Sequence, residues 1–241
     1  MIAALALGAL VAVLAAGAAT AGGSAELVEV VEPLPPLDRS PEGAVEPAGA
    51  ALDALLRARR SVRAFAPDSL DAATLGWILW AAGGITEQAG FARRAAPSAG
   101  ALYPLEIDVV TARGIARYDP RGHALRWRRA GDQRAQLGAA ALRQPWVSAA
   151  PATLVIGAVP QRTRIKYGER ADRYVWIEAG CVAQNALLAA VARGLGAVVV
   201  GAFDDAAVAG LLGYAEGLHP LLLIPIGRQA AAPGPSAGPG R

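Results

Sequence analysis

Apolar and polar positions recur with two different periods along the middle of the chain. Between Asp172 and Arg193, Val175, Ala179, Val182, Ala186 and Ala189 stand at helical spacing, which predicts the longest helix, ended by Gly194. Shorter helices are predicted over Ala50–Arg60, Leu70–Ala82, Asp132–Arg143 and Asp205–Leu212. Ser69 or Asp71 would cap the second of these, and Asp204 the last. Leu105–Thr111 alternates with period two and predicts a strand. Ile115–Tyr118 and His123–Trp127 flank Asp119-Pro120-Arg121-Gly122, which reads as a hairpin. Ala152–Val159 is continuously apolar and predicts a buried strand; Ala197–Phe203 and Leu221–Ile226 predict two more. Strands with helices between them make a mixed α/β or α+β domain, and no internal repeat is present.

Both ends of the chain depart from this pattern. Residues 1–25 carry no charged side chain and close on Ala19-Thr20-Ala21, a small-residue cleavage pattern. About 20 apolar residues suffice to cross a bilayer core, so the segment reads as a signal peptide or an N-terminal membrane anchor. The domain is then exported, or held at a membrane, with the cytoplasmic face as the alternative side. Residues 26–49 hold Pro33, Pro35, Pro36, Pro41 and Pro47 among acidic residues, which reads as a linker or an extended arm. The Pro- and Gly-rich tail 229–241 is expected to be disordered. The folded domain is therefore expected over residues 50–228.

Composition narrows the chemistry by exclusion. A chain of 241 residues, 54% hydrophobic and 18% charged, has room for a substantial core. The formal net charge is +3, and basic residues are spread without an aromatic-interleaved cluster, which argues against a nucleic-acid partner. Cys181 is the sole cysteine, and His123 and His219 are the only histidines, so a zinc or other metal site is poorly supplied. The nucleophile-elbow pattern G-x-S-x-G is absent, which leaves a serine hydrolase without its turn. Lys166 is the only lysine in a chain that otherwise uses arginine for positive charge. A lysine kept against that bias points to a task arginine cannot perform, such as releasing a proton, or to chance survival.

Four stretches carry candidate chemistry. Arg59-Arg60-Ser61-Val62-Arg63-Ala64-Phe65, at the end of a predicted helix, offers guanidiniums and a hydroxyl to a phosphate. A cationic helix end also complements the helix dipole, and no Gly-rich phosphate loop accompanies the stretch. Pro97-Ser98-Ala99-Gly100-Ala101-Leu102-Tyr103-Pro104 is a rigid small-residue turn that either lets a flat ligand approach the backbone or merely connects elements. Lys166-Tyr167 can serve proton transfer, the cation favouring ionisation of the phenol, or belong to a solvated loop. Val200-Gly201-Ala202-Phe203-Asp204 places backbone N–H groups at a strand–helix turn. Cys181, His219 and the Trp77–Trp80 pair read as packing or turn residues.

The order of these stretches resembles the nitroreductase superfamily, and within it the SagB/ThcOx family of azoline dehydrogenases. The resemblance spans about residues 50–228. It rests on Arg94 with Pro97–Pro104, on Lys166-Tyr167-Gly168-Glu169-Arg170, on Glu178-Ala179-Gly180 with Gln184-Asn185, and on Leu195-Gly196 with Gly201–Asp204. It implies an α+β nitroreductase-like fold, a central mostly antiparallel sheet flanked by helices, with FMN at a homodimer interface. It further implies that Arg59, Arg60, Ser61 and Arg63 hold the FMN phosphate and ribityl chain, and that Arg228 reaches the phosphate. Pro97, Ser98, Ala99 and Gly100 would lie along the flavin ring, and Gly201 and Ala202 would face its N5. Lys166 and Tyr167 match the family's catalytic pair, acting on an azoline in a peptide or small molecule. The same flavin site would also support an NAD(P)H-dependent reductase of nitro compounds or quinones, or a flavin-binding protein without catalysis.

Overall fold

The structure, a computed structural model, describes residues 30–37, 48–87 and 92–231. Its centre is a seven-stranded antiparallel sheet. In chain order the elements are β1 (Val30–Pro33), α1 (Ala48–Ala58), α2 (Ala72–Gly83), β2 (Leu105–Thr111), β3 (Gly114–Asp119) and β4 (Ala124–Ala130). There follow α3 (Arg134–Ala140), α4 (Pro145–Ala149), β5 (Ala152–Ala158), α5 (Gln161–Tyr167), α6 (Ala171–Ala192), β6 (Gly196–Ala197), α7 (Asp205–Leu212) and β7 (His219–Gly227). The strand order is β1-β4-β3-β2-β5-β7-β6. The apolar segment 1–25 and most of the Pro/Gly-rich tail lie outside the described residues.

The period-two side chains of the central strands sort into two cores. Leu105, Ile107 and Val109 of β2 join Leu154, Ile156, Ile224 and Ile226 under α2 and α6. Val110, Ile115, Val155 and Leu223 face the other way, under α3, α4 and α7. All seven residues of β5 are buried, as a strand covered on both faces requires. The long helix α6 buries Val175, Ala179, Val182, Ala186 and Ala189, the positions its periodicity predicts. Cys181 and Trp77 pack against this core, in keeping with their reading as packing residues.

Local chemistry sets several boundaries. Asp71, not Ser69, caps α2: its carboxylate accepts from the Thr74 N–H at 2.7 Å and the Thr74 hydroxyl at 3.1 Å. The backbone bond from Thr74 is the main cause that holds the Asp71 carboxyl below its ordinary 3.8. A depressed carboxyl contributes its stability above its unfolded pKa and loses it as pH falls through the folded value. Asp71→Ala is expected to cost about 1 kcal/mol in denaturant titrations at pH 7, with the deficit shrinking towards pH 3.

Four predicted spans are corrected. The strand predicted over Ala197–Phe203 is regular only at Gly196–Ala197, with an isolated bridge from Val200 to Leu223. Val198 donates to the Pro225 carbonyl at 3.3 Å, but Pro225 has no N–H to return, and the ladder breaks there. The helix predicted over Asp132–Arg143 stops at Ala140, because Leu142 and Arg143 take positive φ of 54° and 59°. Of the predicted linker, Val30–Pro33 forms the edge strand β1 on β4, where a proline is tolerated. Glu32 fastens it, accepting from Trp127 Nε1 at 2.7 Å and pairing with Arg113 at 2.6 Å. Gln229 and Ala230, assigned to the tail, continue the fold by pairing with Phe65 and Ala64.

Candidate active site

The turn between Pro97 and Pro104 is built against backbone preference and held from outside. Gly100, Ala101 and Tyr103 all lie in the left-handed region, with φ of 63°, 54° and 46°. Side chains rarely adopt that region unless their surroundings impose it. Here Ser98 Oγ accepts the Tyr103 N–H at 2.9 Å, and Arg162 of α5 donates to the Tyr103 carbonyl at 3.1 Å. The Arg94 guanidinium lies 4.4 Å from the centre of the Tyr103 ring. Arg162 also pairs with Glu106 of β2, so the turn, α5 and the start of β2 are tied together.

This arrangement brings two sequence stretches, more than 60 positions apart, into contact. A methyl group at Gly100 would stand 3.0 Å from the Tyr167 hydroxyl and 3.1 Å from Lys166 Nζ. Only glycine leaves room for both groups while taking the positive φ. Tyr167 is steadied by Tyr174 of α6, ring centres 4.7 Å apart and edge to face. The Lys166 ammonium lies 5.6 Å from the Tyr167 ring centre. The stretch read as a possible solvated loop is thus helical: α5 carries the pair on its last turn.

Glu178, which the sequence motifs include without a role, lies on the buried side of α6. Burial is the largest influence and pushes its carboxyl up to about 7, against the opposing pull of Ser98 and Arg94. The signal was available: 171, 175, 178 and 182 form one buried helical stripe, and a lone acid on such a stripe is rarely idle.

The second group of candidate residues gathers elsewhere. Ser61 bridges Ala197 of β6, and the Val62 N–H donates to the Ala197 carbonyl at 3.1 Å. Arg60 folds back onto the end of α1, donating to the Arg57 and Arg59 carbonyls at 2.6 and 2.8 Å. Arg59 is half-buried and Arg63 exposed. Arg63 lies 5.6 Å from the Trp146 ring centre, and Gln144, two residues earlier, donates to the Ala202 carbonyl at 2.7 Å. Gly201 is exposed with open space beside its Cα. Arg228 is exposed and pairs with Asp68 at 3.5 Å, an ion pair with which a phosphate would compete.

The two groups sit at opposite ends of the central strands. The Pro97–Pro104 turn enters β2 at Leu105, which pairs with Ala158 at the end of β5. Ser61 lies by Ala197, which pairs with Ile226, and Ile226 pairs with Ala152 at the start of β5. Six strand steps separate these ends, about 20 Å. Among the described residues, no hydrogen bond, ion pair or ring contact joins the groups.

Comparison with known proteins assigns the family. The Nitroreductase family model matches residues 56–228. The chain belongs to the nitroreductase family. A nitroreductase-family protein of Methanocaldococcus jannaschii is 42% identical over 184 residues, covering 74% of this chain and 91% of its own. A solved nitroreductase-family structure from Ralstonia eutropha is 32% identical, with a TM-score of 0.73, covering 84% of this chain and 90% of that one. A chain of the Escherichia coli microcin synthetase complex shares the fold, at 23% identity and a TM-score of 0.63, covering 69% and 67% of the two chains. This nitroreductase-family chain is accordingly an oxidoreductase with an α+β nitroreductase-like fold. Members of the family generally use flavin and commonly form homodimers.

The residues present fit a flavin. Gly201 leaves open backbone, and Arg59, Arg63 and Ser61 supply donors suited to a phosphate.

Proposed function

We propose that this nitroreductase-family chain is an FMN-dependent dehydrogenase of SagB type that oxidises an azoline to an azole in a peptide or small molecule. The observation that carries the reading is the convergence of Lys166 Nζ and the Tyr167 hydroxyl on Gly100, inside the turn assigned to the flavin ring. Oxidising an azoline removes a hydride and a proton. FMN, when bound, supplies the hydride acceptor. Lys166 or Tyr167 takes the proton, and the other holds it in place by charge or hydrogen bond. Arg59, Arg60, Ser61 and Arg63 hold the phosphate and ribityl chain, Gly201 and Ala202 face the ring, and Arg228 exchanges Asp68 for the phosphate.

The same reading requires two copies. The phosphate stretch and the Lys-Tyr pair lie at opposite ends of β5, too far apart for one flavin to use both within one chain. A homodimer lets one copy supply the phosphate site and the other the turn with Lys166 and Tyr167. Ile165 beside the pair, and Trp176 and Ile177 on α6, are large apolar side chains left 81%, 55% and 57% exposed, as an uncovered interface would be. Residues 1–25 would hold the dimer at a membrane or direct its export.

A second reading, an NAD(P)H-dependent reductase of nitro compounds or quinones, is favoured by the name of the Methanocaldococcus jannaschii relative. Purified protein is expected to show flavin absorption bands, to run as a dimer and to oxidise an azoline substrate. Arg59→Ala with Arg63→Ala is expected to weaken FMN binding by roughly 10- to 100-fold, measured by flavin fluorescence titration. Colourless protein that takes up no FMN overturns the flavin site. NADPH oxidation driven by a nitroaromatic, without azoline turnover, selects the second reading.

A further inference from the structure

The corner between α3 and α4 carries no sequence motif, yet it touches both the arginine stretch and the Gly201–Asp204 turn. Leu142 and Arg143, neither of them glycine, take φ of 54° and 59° there. Two adjacent residues with side chains hold that conformation only when their surroundings impose it. The Arg143 N–H donates to the Gly138 carbonyl at 3.0 Å, and the Gln144 N–H to the Ala141 carbonyl at 3.2 Å. Helix α4 then sets the Trp146 ring 5.6 Å from the Arg63 guanidinium.

Gln144 reaches from this corner to the turn. Its Nε2 donates to the Ala141 carbonyl at 2.9 Å and to the Ala202 carbonyl at 2.7 Å. Two carbonyl acceptors on one atom fix the orientation of the side-chain amide, because only its NH2 end can serve both. Two residues on, the Asp204 N–H donates to the Ala140 carbonyl at 2.8 Å, so the same corner grips the turn twice. The turn's own donors are left over. Among the described residues, the N–H groups of Gly201, Ala202 and Phe203 have no acceptor. A trans peptide points its C=O and its N–H in opposite directions. Holding the Ala202 carbonyl on Gln144 therefore turns the Phe203 N–H away from the corner.

We propose that Gln144 is a positioning residue: by holding the Ala202 carbonyl it sets the peptide between Ala202 and Phe203 so that the Phe203 N–H is presented to the flavin ring. That the ring is what this N–H meets rests on the flavin reading above; that Gln144 sets the turn does not. Glutamate is the discriminating replacement. It keeps the size of glutamine, but its ionised carboxylate sets an acceptor against two carbonyls, and only protonation returns one donor.

The test uses the full chain with Gln144→Leu and Gln144→Glu, and reads amide exchange residue by residue, corrected for intrinsic rates. Without FMN, exchange at Asp204 is expected to be about tenfold faster in Gln144→Leu than in wild type. In Gln144→Glu it should be fast at pH 8 and slow towards the wild-type rate at pH 5. With FMN bound, exchange of the wild-type Phe203 amide is expected to slow about tenfold. Gln144→Leu should lose that protection while the phosphate stretch still holds the flavin. Unchanged Asp204 exchange in Gln144→Leu overturns the proposal, as does a Phe203 amide that FMN leaves unprotected in wild type or protects fully in Gln144→Leu. If Gln144→Leu does not fold, Gln144→Glu carries the test through its pH dependence. Wild-type protein that takes up no FMN sinks the flavin reading, and faster Asp204 exchange in the variants then leaves the turn-setting role standing.

Discussion

Lys166→Ala and Tyr167→Phe are each expected to lower turnover of FMN-loaded protein by roughly 100-fold or more, with FMN content little changed. A positioned proton acceptor contributes about 10²- to 10⁴-fold to a rate. Lys166 is the sole lysine, so no neighbouring amine can stand in for it. Tyr167→Phe keeps the ring that packs edge to face on Tyr174 and removes only the hydroxyl that reaches Gly100. The Arg59–Arg63 stretch, proposed above to hold the phosphate, lies at the far end of the strands, which is why flavin content should survive. Steady-state turnover, with flavin content read from absorbance, separates loss of chemistry from loss of cofactor. Full activity in both variants removes the pair from the mechanism.

Asp108→Ala is expected to be the most destabilising single change, about 3–5 kcal/mol. Asp108 is fully buried on the face of β2 away from α2 and α6. Its carboxylate accepts from Arg117 Nε at 3.0 Å and Nη2 at 2.8 Å, and from the Tyr214 hydroxyl at 2.8 Å. Arg128 lies 3.9 Å away. Burial first, and then the Asp108 charge, raise the Tyr214 phenol well above its ordinary range, so it remains a donor. Removing the carboxylate leaves two partly buried guanidiniums and a buried hydroxyl without their common acceptor. A melting temperature lower by roughly 6–20 °C in scanning calorimetry is the expected readout for a domain of this size. A shift under about 2 °C would mean that Arg117 and Arg128 recover their solvation through the sheet edge.

Much of the fold was legible because it depends on local periodicity. Helical spacing marks the buried face of α6 residue by residue, and continuous apolarity marks β5 as a strand covered on both sides. Where local pattern met a non-local constraint, it misled. The apolar run after Ala197 looks like a strand, but its partner offers Pro225, which has no N–H to give. The proline-rich arm looks like a linker, yet Glu32 finds Trp127 and Arg113 and lays Val30–Pro33 on the sheet edge.

The same division runs through the site. The sequence by itself determined the residue types and the order of the stretches: arginines for a phosphate, a small-residue turn, one lysine beside a tyrosine, an open glycine. Those are properties of composition and spacing, and they carried the family resemblance. Only the tertiary structure decided which of them meet. It seats Lys166 and Tyr167 on Gly100 and sends the arginine stretch to the opposite end of β5. It also sets Ser98 Oγ on the Tyr103 amide and buries Glu178 on α6. Asp108 shows the reason most plainly. Period two says only that it faces away from Ile107 and Val109; whether water or Tyr214 waits on that side is settled by a residue 106 positions later. Periodicity chooses a side chain's face, and chain topology chooses what lies against it.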